Sequence, residues 1–191
     1  MADRLAPPLF GGQICGRWGA IRDHGDGETV THWALDLCAD EGHPLYALED
    51  GPVVKVEVSE HGGNQIVMQW GPEIFTRYSH CQTIFRREGD YVRRGDVVGL
   101  SGRTGVNYRG IRVSPHLHFQ MMDRIRGGHP IDMPAWLDNY GIVEKNRVLV
   151  WKDGYPKTGG SIATPILVGA GAVAIYLLLW KLTGSPWLGM E

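Results

Sequence analysis

Short extended segments interrupted by glycine and proline are the feature that most restricts how this chain can fold. From residue 17 to about residue 137, no apolar pattern with the helical period of 3.6 residues continues for more than a few residues. The stretch PLYALEDGPVVKVEV predicts two strands separated by a turn at Asp50-Gly51, and NQIVMQW and EIFTRYSH predict two more around a Gly-Pro turn. We therefore expect a mainly β domain over residues 17–140.

Charge and cysteine content restrict the partners and the compartment. The chain has 191 residues and a formal net charge of -2, so no basic signal predicts a nucleic-acid partner. Its three cysteines, Cys15, Cys38 and Cys81, contain no CxxC pair and no even framework. This pattern favours buried free thiols or a reducing compartment over a disulfide-stabilised secreted domain.

A long uncharged segment near the end of the chain predicts a membrane span. Residues 161–180, SIATPILVGAGAVAIYLLLW, include no charged side chain. A helix of that length would extend roughly 30 Å, the thickness of a bilayer's hydrocarbon core. The alternative is a buried helical hairpin, but a β domain this small could hardly cover a helix that is apolar on every side. We expect a linker at 141–160, one C-terminal transmembrane helix at 161–181 and a short polar and aromatic tail at 182–191.

Two histidines in the stretch SPHLHFQM are the first candidate site residues. Side chains of a strand alternate between its faces, so His116, His118 and Gln120 share one face, and the apolar residues between them share the other. The apolar face can pack into a core, which leaves both imidazoles toward a cleft or solvent. Taken alone, the motif is equally typical of a metal site and of a half-buried strand with two hydrogen-bonded histidines.

The stretch THWALDLCAD offers a second set of ligands with the same alternation. If it forms one continuous strand, the residues that face the core are Trp33, Leu35 and Leu37. His32 and Asp36 then lie on the other face. If this strand neighbours the HxH strand, His32, Asp36 and one of the two histidines can converge. Three nitrogen and oxygen ligands with an open fourth position are typical of a catalytic zinc site.

Three other residues, one histidine and two cysteines, have side chains capable of chemistry. His80, in TRYSHCQ, has no ligand spacing to a nearby residue and by itself is more typical of a surface or edge histidine. Cys38 and Cys81 could in principle be nucleophiles or ligands. Both are more typical of small core residues, so a cysteine-peptidase mechanism is disfavoured.

Six consecutive blocks then resemble one known family. HxxxD at 32–36, GHPLYALEDGPVV, GGNQIVM, YSH, EGDYVRRGDVVGLSGRTG and SPHLHFQ occur in the order found in lysostaphin-type zinc metalloendopeptidases. Those enzymes cleave peptide cross-links in bacterial peptidoglycan. The resemblance covers residues 19–137 and implies a compact antiparallel β-sheet domain with an open groove that holds the metal on its floor.

The resemblance also implies roles for individual residues. The positions that match its zinc ligands are His32, Asp36 and His118. His80 and His116 match the two histidines beside the metal-bound water. We expect His116 to act as general base and His80 to stabilise the developing oxyanion, although the two roles could be exchanged. Arg22 matches an arginine before the first ligand block and is a candidate substrate contact.

These observations predict a membrane-anchored zinc endopeptidase that acts on peptidoglycan. The alternative is an inactive peptidoglycan-binding or structural membrane protein with the same fold. The stretch MADRLAPPLFGG has no apolar core of a signal peptide, and a C-terminal anchor would leave the domain away from the wall. We therefore expect the membrane to be that of a phage virion, with other virion proteins as partners, or otherwise the bacterial cell envelope.

Overall fold

The structure is a computed structural model that describes residues 8–9, 12–23, 27–125, 128–139 and 142–151. In chain order its elements are Gln13–Gly16 (β1), Ala20–Asp23 (β2), Thr29–His32 (β3), Leu35–Cys38 (β4), Pro44–Tyr46 (β5), Gly51–Ser59 (β6), Gly63–Gly71 (β7), Ile74–Cys81 (β8), Thr83–Ile84 (β9), Tyr91–Val92 (β10), Val97–Leu100 (β11), Leu117–Met122 (β12), Met133–Asn139 (α1), Ile142–Lys145 (β13) and Val148–Trp151 (β14). The prediction of a mainly β domain is confirmed.

One large antiparallel sheet dominates the described part of the chain. Its nine strands have the order β10-β6-β7-β8-β12-β4-β1-β14-β13, while β5-β11-β9 and β2-β3 form two smaller sheets. Strand β12 lies between β4 and β8, so the HxH strand directly neighbours both the strand with Asp36 and the strand that ends near His80. The sheet order therefore brings three predicted site segments side by side.

The alternation predicted for the HxH strand is confirmed. Leu117, Phe119 and Met121 are fully buried in the main core, whereas His118 is only partly buried on the opposite face. Phe119 packs edge-on against Tyr78 of β8, with ring centroids 5.2 Å apart. Burial of each such large apolar side chain contributes about 2 kcal/mol, which fixes the register of β12 and with it the direction of His118. His116 lies one residue before β12 and forms an isolated bridge with Gly102.

The prediction of one continuous strand from Thr31 to Asp40 is wrong. Strand β3 ends at His32, strand β4 begins at Leu35, and the two belong to different sheets. Trp33, predicted to face the core, is 40% exposed, whereas Ala34 is completely buried. The carbonyl of His32 accepts a hydrogen bond from the amide of Gly19 at 2.7 Å, which keeps the end of β3 on the small β2-β3 sheet.

The sheet extends beyond the bounds predicted for the domain. Strand β1 precedes residue 17, and β13 and β14 occupy 142–151, inside the segment predicted as a linker. Strand β14 pairs with β1 and so joins this hairpin to the main sheet. Among the described residues, no helix has the length and apolar character required to cross a membrane. The predicted span at 161–181 and the tail at 182–191 lie outside those residues.

The expectation of free thiols is wrong for two of the three cysteines. Cys15 of β1 and Cys38 of β4 form a disulfide, with their Cα atoms 5.8 Å apart. The two residues are 23 positions apart in sequence, and only the pairing of β1 with β4 brings them together. Cys81 is free and buried in the core, as predicted.

The disulfide predicts a measurable stability difference. Replacing both Cys15 and Cys38 with serine should lower the free energy of unfolding by about 3 kcal/mol, because the unfolded chain is no longer cross-linked over that separation. Denaturant unfolding of the oxidised protein and of the double variant measures the difference. A thiol titration of the unfolded, unreduced protein should find one thiol per chain, that of Cys81. Three reactive thiols would contradict the assignment.

Candidate metal centre

Three side chains from three strands meet at one point. Asp36 of β4 and His118 of β12 are directly opposite in the antiparallel ladder, and His32 approaches from the end of β3. Asp36 Oδ1 lies 2.9 Å from His118 Nδ1 and 3.1 Å from His32 Nε2, and those two nitrogens are 3.2 Å apart. The register of β4 against β12 thus produces a nearly equilateral triangle of possible donor atoms.

The size of this triangle fits a metal ion. Donors held 2.0–2.2 Å from a tetrahedral ion are separated from each other by about 3.3 Å. The three observed separations are slightly shorter than that value. Two imidazole nitrogens and one carboxylate oxygen are also a donor set that occurs in catalytic metal sites with an open fourth position.

The orientation of His32 strengthens this assignment. Its Nδ1 lies 2.9 Å from the carbonyl oxygen of Arg17, and a carbonyl can only accept, so Nδ1 carries the proton. In the neutral ring, Nε2 then presents a lone pair to Asp36 and His118. A lone pair that faces a carboxylate requires a cation between them, either a proton or a metal ion. A backbone carbonyl on the second ring nitrogen is a common outer contact of metal-binding histidines.

The electrostatics keep Asp36 ionised. Burial acts to raise the pKa of its carboxyl group. Hydrogen bonding to His118, and to His32 when its Nε2 carries a proton in place of a metal ion, outweighs burial and holds the pKa well below the usual value. Burial also lowers the pKa of His118, although the neighbouring Asp36 opposes this effect. A neutral imidazole and an ionised carboxylate are the protonation states that a metal ion requires of its ligands.

Two further histidines flank the triangle. His80 Nδ1 lies 2.9 Å from the carbonyl oxygen of Thr104, and His116 Nδ1 lies 2.6 Å from that of Ser114. Each ring therefore leaves its Nε2 for other contacts. The two ring centroids are 4.5 Å apart, and His116 Nε2 lies 3.7 Å from Asp36 Oδ1. Burial, together with the nearby His116, lowers the pKa of His80 to about 4, so His80 is neutral at neutral pH.

All five of these side chains fall within the range matched by a family model. The model of Peptidase family M23 matches residues 30–133, more than half of the chain. The chain belongs to peptidase family M23.

Individual M23 relatives and structures agree with the fold. The chain is 37% identical over 102 residues to the peptidoglycan DD-endopeptidase ShyA of Vibrio cholerae, a match that covers 53% of this chain and 22% of ShyA. A zinc-containing peptidase from Vibrio cholerae superposes with a TM-score of 0.59 at 30% identity, covering 68% of this chain and 39% of that one. The catalytic domain of lysostaphin from Staphylococcus simulans gives a TM-score of 0.61 at 27% identity, with coverages of 71% and 99%. The chain spans less than a quarter of the length of the first curated relatives that it matches.

A second group of three histidines competes for a metal ion in this M23 domain. His80, His116 and His118 offer ring nitrogens within 4.8 Å of one another. This group contains no carboxylate. It shares His118 with the tighter triangle, and His116 lies beside that triangle. The triangle with Asp36 is the better metal site because its donors are closer together and because one of them is negatively charged.

His80 has an unusual backbone conformation. Its φ angle is +63°, in the left-handed region that favours glycine and asparagine. The expectation from the residue alone, a surface or edge histidine, is wrong, because the side chain is buried. Its amide donates to the carbonyl of Gly62 at 2.8 Å, and the ring contacts Thr104, so the surroundings hold the strained residue in place. Strain of this kind is concentrated at functional sites.

Arg22 contacts a candidate metal ligand, and neither Cys38 nor Cys81 offers a thiolate. Arg22 is directed at Asp36, with 2.5 Å between Nη2 and Oδ2, so its substrate contact stays a prediction. Cys38 is in the disulfide, and burial raises the pKa of Cys81 to about 12. Neither sulfur is available as a thiolate at neutral pH, which excludes both as nucleophiles or metal ligands.

The contacts that sequence reasoning missed are mainly backbone carbonyls. Those that orient histidine rings belong to Arg17, Thr104 and Ser114. Every residue has a carbonyl, so the side-chain sequence contains no signal for these contacts. Only the fold determines which carbonyl lies beside which ring.

The strain at His80 predicts a contrast between two substitutions. Asparagine tolerates a positive φ, so His80→Asn should leave the free energy of unfolding within about 1 kcal/mol of the wild-type value. Valine is β-branched and does not tolerate it, so His80→Val should cost about 2 kcal/mol or more. Denaturant unfolding with a chelator present measures both without a contribution from metal. Equal losses of unfolding free energy in the two variants would contradict the assignment of backbone strain to His80.

Proposed function

We propose that the protein is a zinc-dependent endopeptidase that hydrolyses peptide cross-links of bacterial peptidoglycan. The single observation that carries this proposal is the donor triangle of His32, Asp36 and His118, with separations of 2.9 to 3.2 Å, beside the imidazoles of His80 and His116. The triangle would hold the ion, and the two flanking rings would move protons.

Zinc is the metal that the donor set supports best. Two imidazoles with one carboxylate suit its preference for nitrogen and oxygen ligands in tetrahedral geometry. When bound, zinc supplies Lewis acidity toward water and toward a peptide carbonyl. The similarity to a zinc-containing peptidase is consistent with this choice.

The flanking histidines are suited to proton transfer. A neutral ring that donates Nδ1–H to a carbonyl keeps a lone pair on Nε2, and it becomes a donor at Nε2 once it accepts a proton. His116 is proposed as the general base because its Nε2 lies 3.7 Å from Asp36 Oδ1, at the edge of the triangle. His80 is a weaker base because its pKa is about 4, which favours a role in stabilising charge beside His116.

The proposed substrate comes from the M23 relatives. ShyA is named a peptidoglycan DD-endopeptidase. The family match over residues 30–133 contains all five site side chains. A peptide cross-link between glycan strands has the carbonyl that this chemistry needs. Which cross-link bond is cleaved would follow from the masses of the fragments released from purified sacculi.

Single substitutions should separate metal binding from hydrolysis. Asp36→Ala should lose most of the bound zinc, because two protein ligands remain instead of three. His116→Ala should keep about one zinc per chain and lose hydrolysis by about 100-fold or more, because the proton acceptor is missing. The measurements are metal content by mass spectrometry and release of soluble fragments from sacculi by the full chain in detergent.

A matched control is His129→Ala, which removes a histidine whose side chain is 80% exposed and lies against Asp123. It should retain both zinc and activity. Full zinc content in Asp36→Ala would overturn the ligand assignment. Zinc binding by the wild type without hydrolysis would favour the alternative of a binding module.

We also propose that the segment 161–181 anchors the protein in a lipid membrane. Its uncharged run of twenty residues is long enough to satisfy its backbone within a helix across the hydrocarbon core. The full chain should enter the detergent phase on phase separation, whereas a chain that ends at Thr158 should stay in the aqueous phase. Equal partitioning of both would refute the anchor. Recovery of the protein in the lipid fraction of phage particles would support the virion location. Recovery of the protein only in host envelopes would refute it.

A further inference from the structure

The two oxygens of Asp36 face different partners. Oδ1 belongs to the donor triangle, whereas Oδ2 lies 2.5 Å from Nη2 of Arg22 on strand β2. The Asp36 side chain is only 8% exposed, and Arg22 is 42% exposed. A buried carboxylate oxygen without a partner is destabilising, so Arg22 supplies the partner that the triangle does not.

Gly16 of β1 provides the space in which this ion pair forms. A Cβ atom at Gly16 would lie 2.2 Å from Asp36 Oδ2 and 2.3 Å from Arg22 Nη2, so any other residue would displace one partner. Gly16 pairs with Asp36 in the β1-β4 ladder, beside a register shift. It does not have a positive φ, so the requirement for glycine comes from space and not from backbone conformation.

We propose that Arg22 is a positioning residue for the metal ligand Asp36. By binding Oδ2, the guanidinium fixes the rotation of the carboxylate so that Oδ1 alone faces His32 and His118. Gly16 contributes to the same positioning because it has no side chain in the space that the ion pair occupies. This inference rests on the proposed metal site and assigns Arg22 a role that acts through Asp36.

The pair differs from an ordinary surface ion pair. Arg109 and Asp23 also lie 2.5 Å apart, but both side chains are more than half exposed and neither belongs to the donor triangle. Arg109→Gln is therefore a matched control: it breaks an arginine–carboxylate pair of the same length, and the carboxylate, Asp23, is on the same strand β2 as Arg22. For Gly16→Ala, the matched control is Gly71→Ala, because a Cβ at Gly71 would meet no atom within 4 Å and Gly71 has no positive φ.

The test measures metal affinity in the full chain in detergent. Zinc is titrated against a chromophoric chelator, and the visible spectrum of the cobalt(II)-loaded protein reports on ligand geometry. Arg22→Gln and Gly16→Ala should each bind zinc about 10- to 100-fold more weakly and shift the cobalt spectrum, as losses of outer contacts do. Arg22→Lys keeps the charge without the planar fork and should recover part of the affinity. Arg109→Gln and Gly71→Ala should match the wild type in both measurements.

The outcomes separate this inference from the proposed function. If wild type bound zinc and Arg22→Gln bound it within twofold, or more tightly, with an unchanged spectrum, the positioning role would be overturned while the metal site stood. If wild type bound no zinc, the metal site itself would fail, and the inference with it. Thermal unfolding with a chelator present checks that each variant is folded. If Arg22→Gln does not fold, the positioning role is tested by comparing the zinc affinity of Gly16→Ala with that of Gly71→Ala.

Discussion

The site depends on a break in the chain between His32 and Asp36. On one continuous strand these residues would be roughly 13 Å apart, too far to share an ion. The chain instead leaves the small β2-β3 sheet at His32, buries Ala34 and enters the main sheet at Leu35. Asp36 then meets His118 across the ladder, while His32 comes from outside the main sheet. The HxxxD motif therefore spans a bend between two sheets and does not lie on one face of a single strand.

Backbone carbonyls determine how the imidazoles are used. Three of the four site histidines place Nδ1 against a carbonyl oxygen, and those that do so are His32, His80 and His116. The fourth, His118, turns Nδ1 toward Asp36 instead. Each carbonyl contact selects a tautomer and restricts ring rotation, which lowers the entropic cost of holding several polar groups together. The left-handed backbone of His80 shows that the domain accepts strain to place one of these rings.

The sequence predicted which side chains lie together at the candidate site but not the contacts that hold them there. The alternation of apolar and polar residues correctly placed His118 and Phe119 on opposite faces of β12. Burial of the face with Phe119 determines which side chains point away from the core. The same rule failed at Trp33, since alternation assumes a continuous strand and contains no information on where a chain changes sheets. The Cys15–Cys38 bond was missed for a related reason: its partners become neighbours only when β1 pairs with β4, a contact between distant segments. Local patterns record burial, whereas pairing partners depend on the whole fold.

Strand β1 shows how far the support of the site extends beyond the recognisable family segment. The match to the M23 model begins at residue 30, after β1 and β2. Yet the disulfide from Cys15 cross-links β1 to β4 two residues after Asp36, Gly16 leaves space for the Asp36 ion pair, and Arg22 of β2 completes that pair. The donor atoms thus lie within the family segment, while part of what orients the carboxylate comes from the preceding residues. Because loss of a contact that orients a metal ligand typically weakens metal binding about 10- to 100-fold, chains with the same five site residues can differ in affinity through this N-terminal support alone.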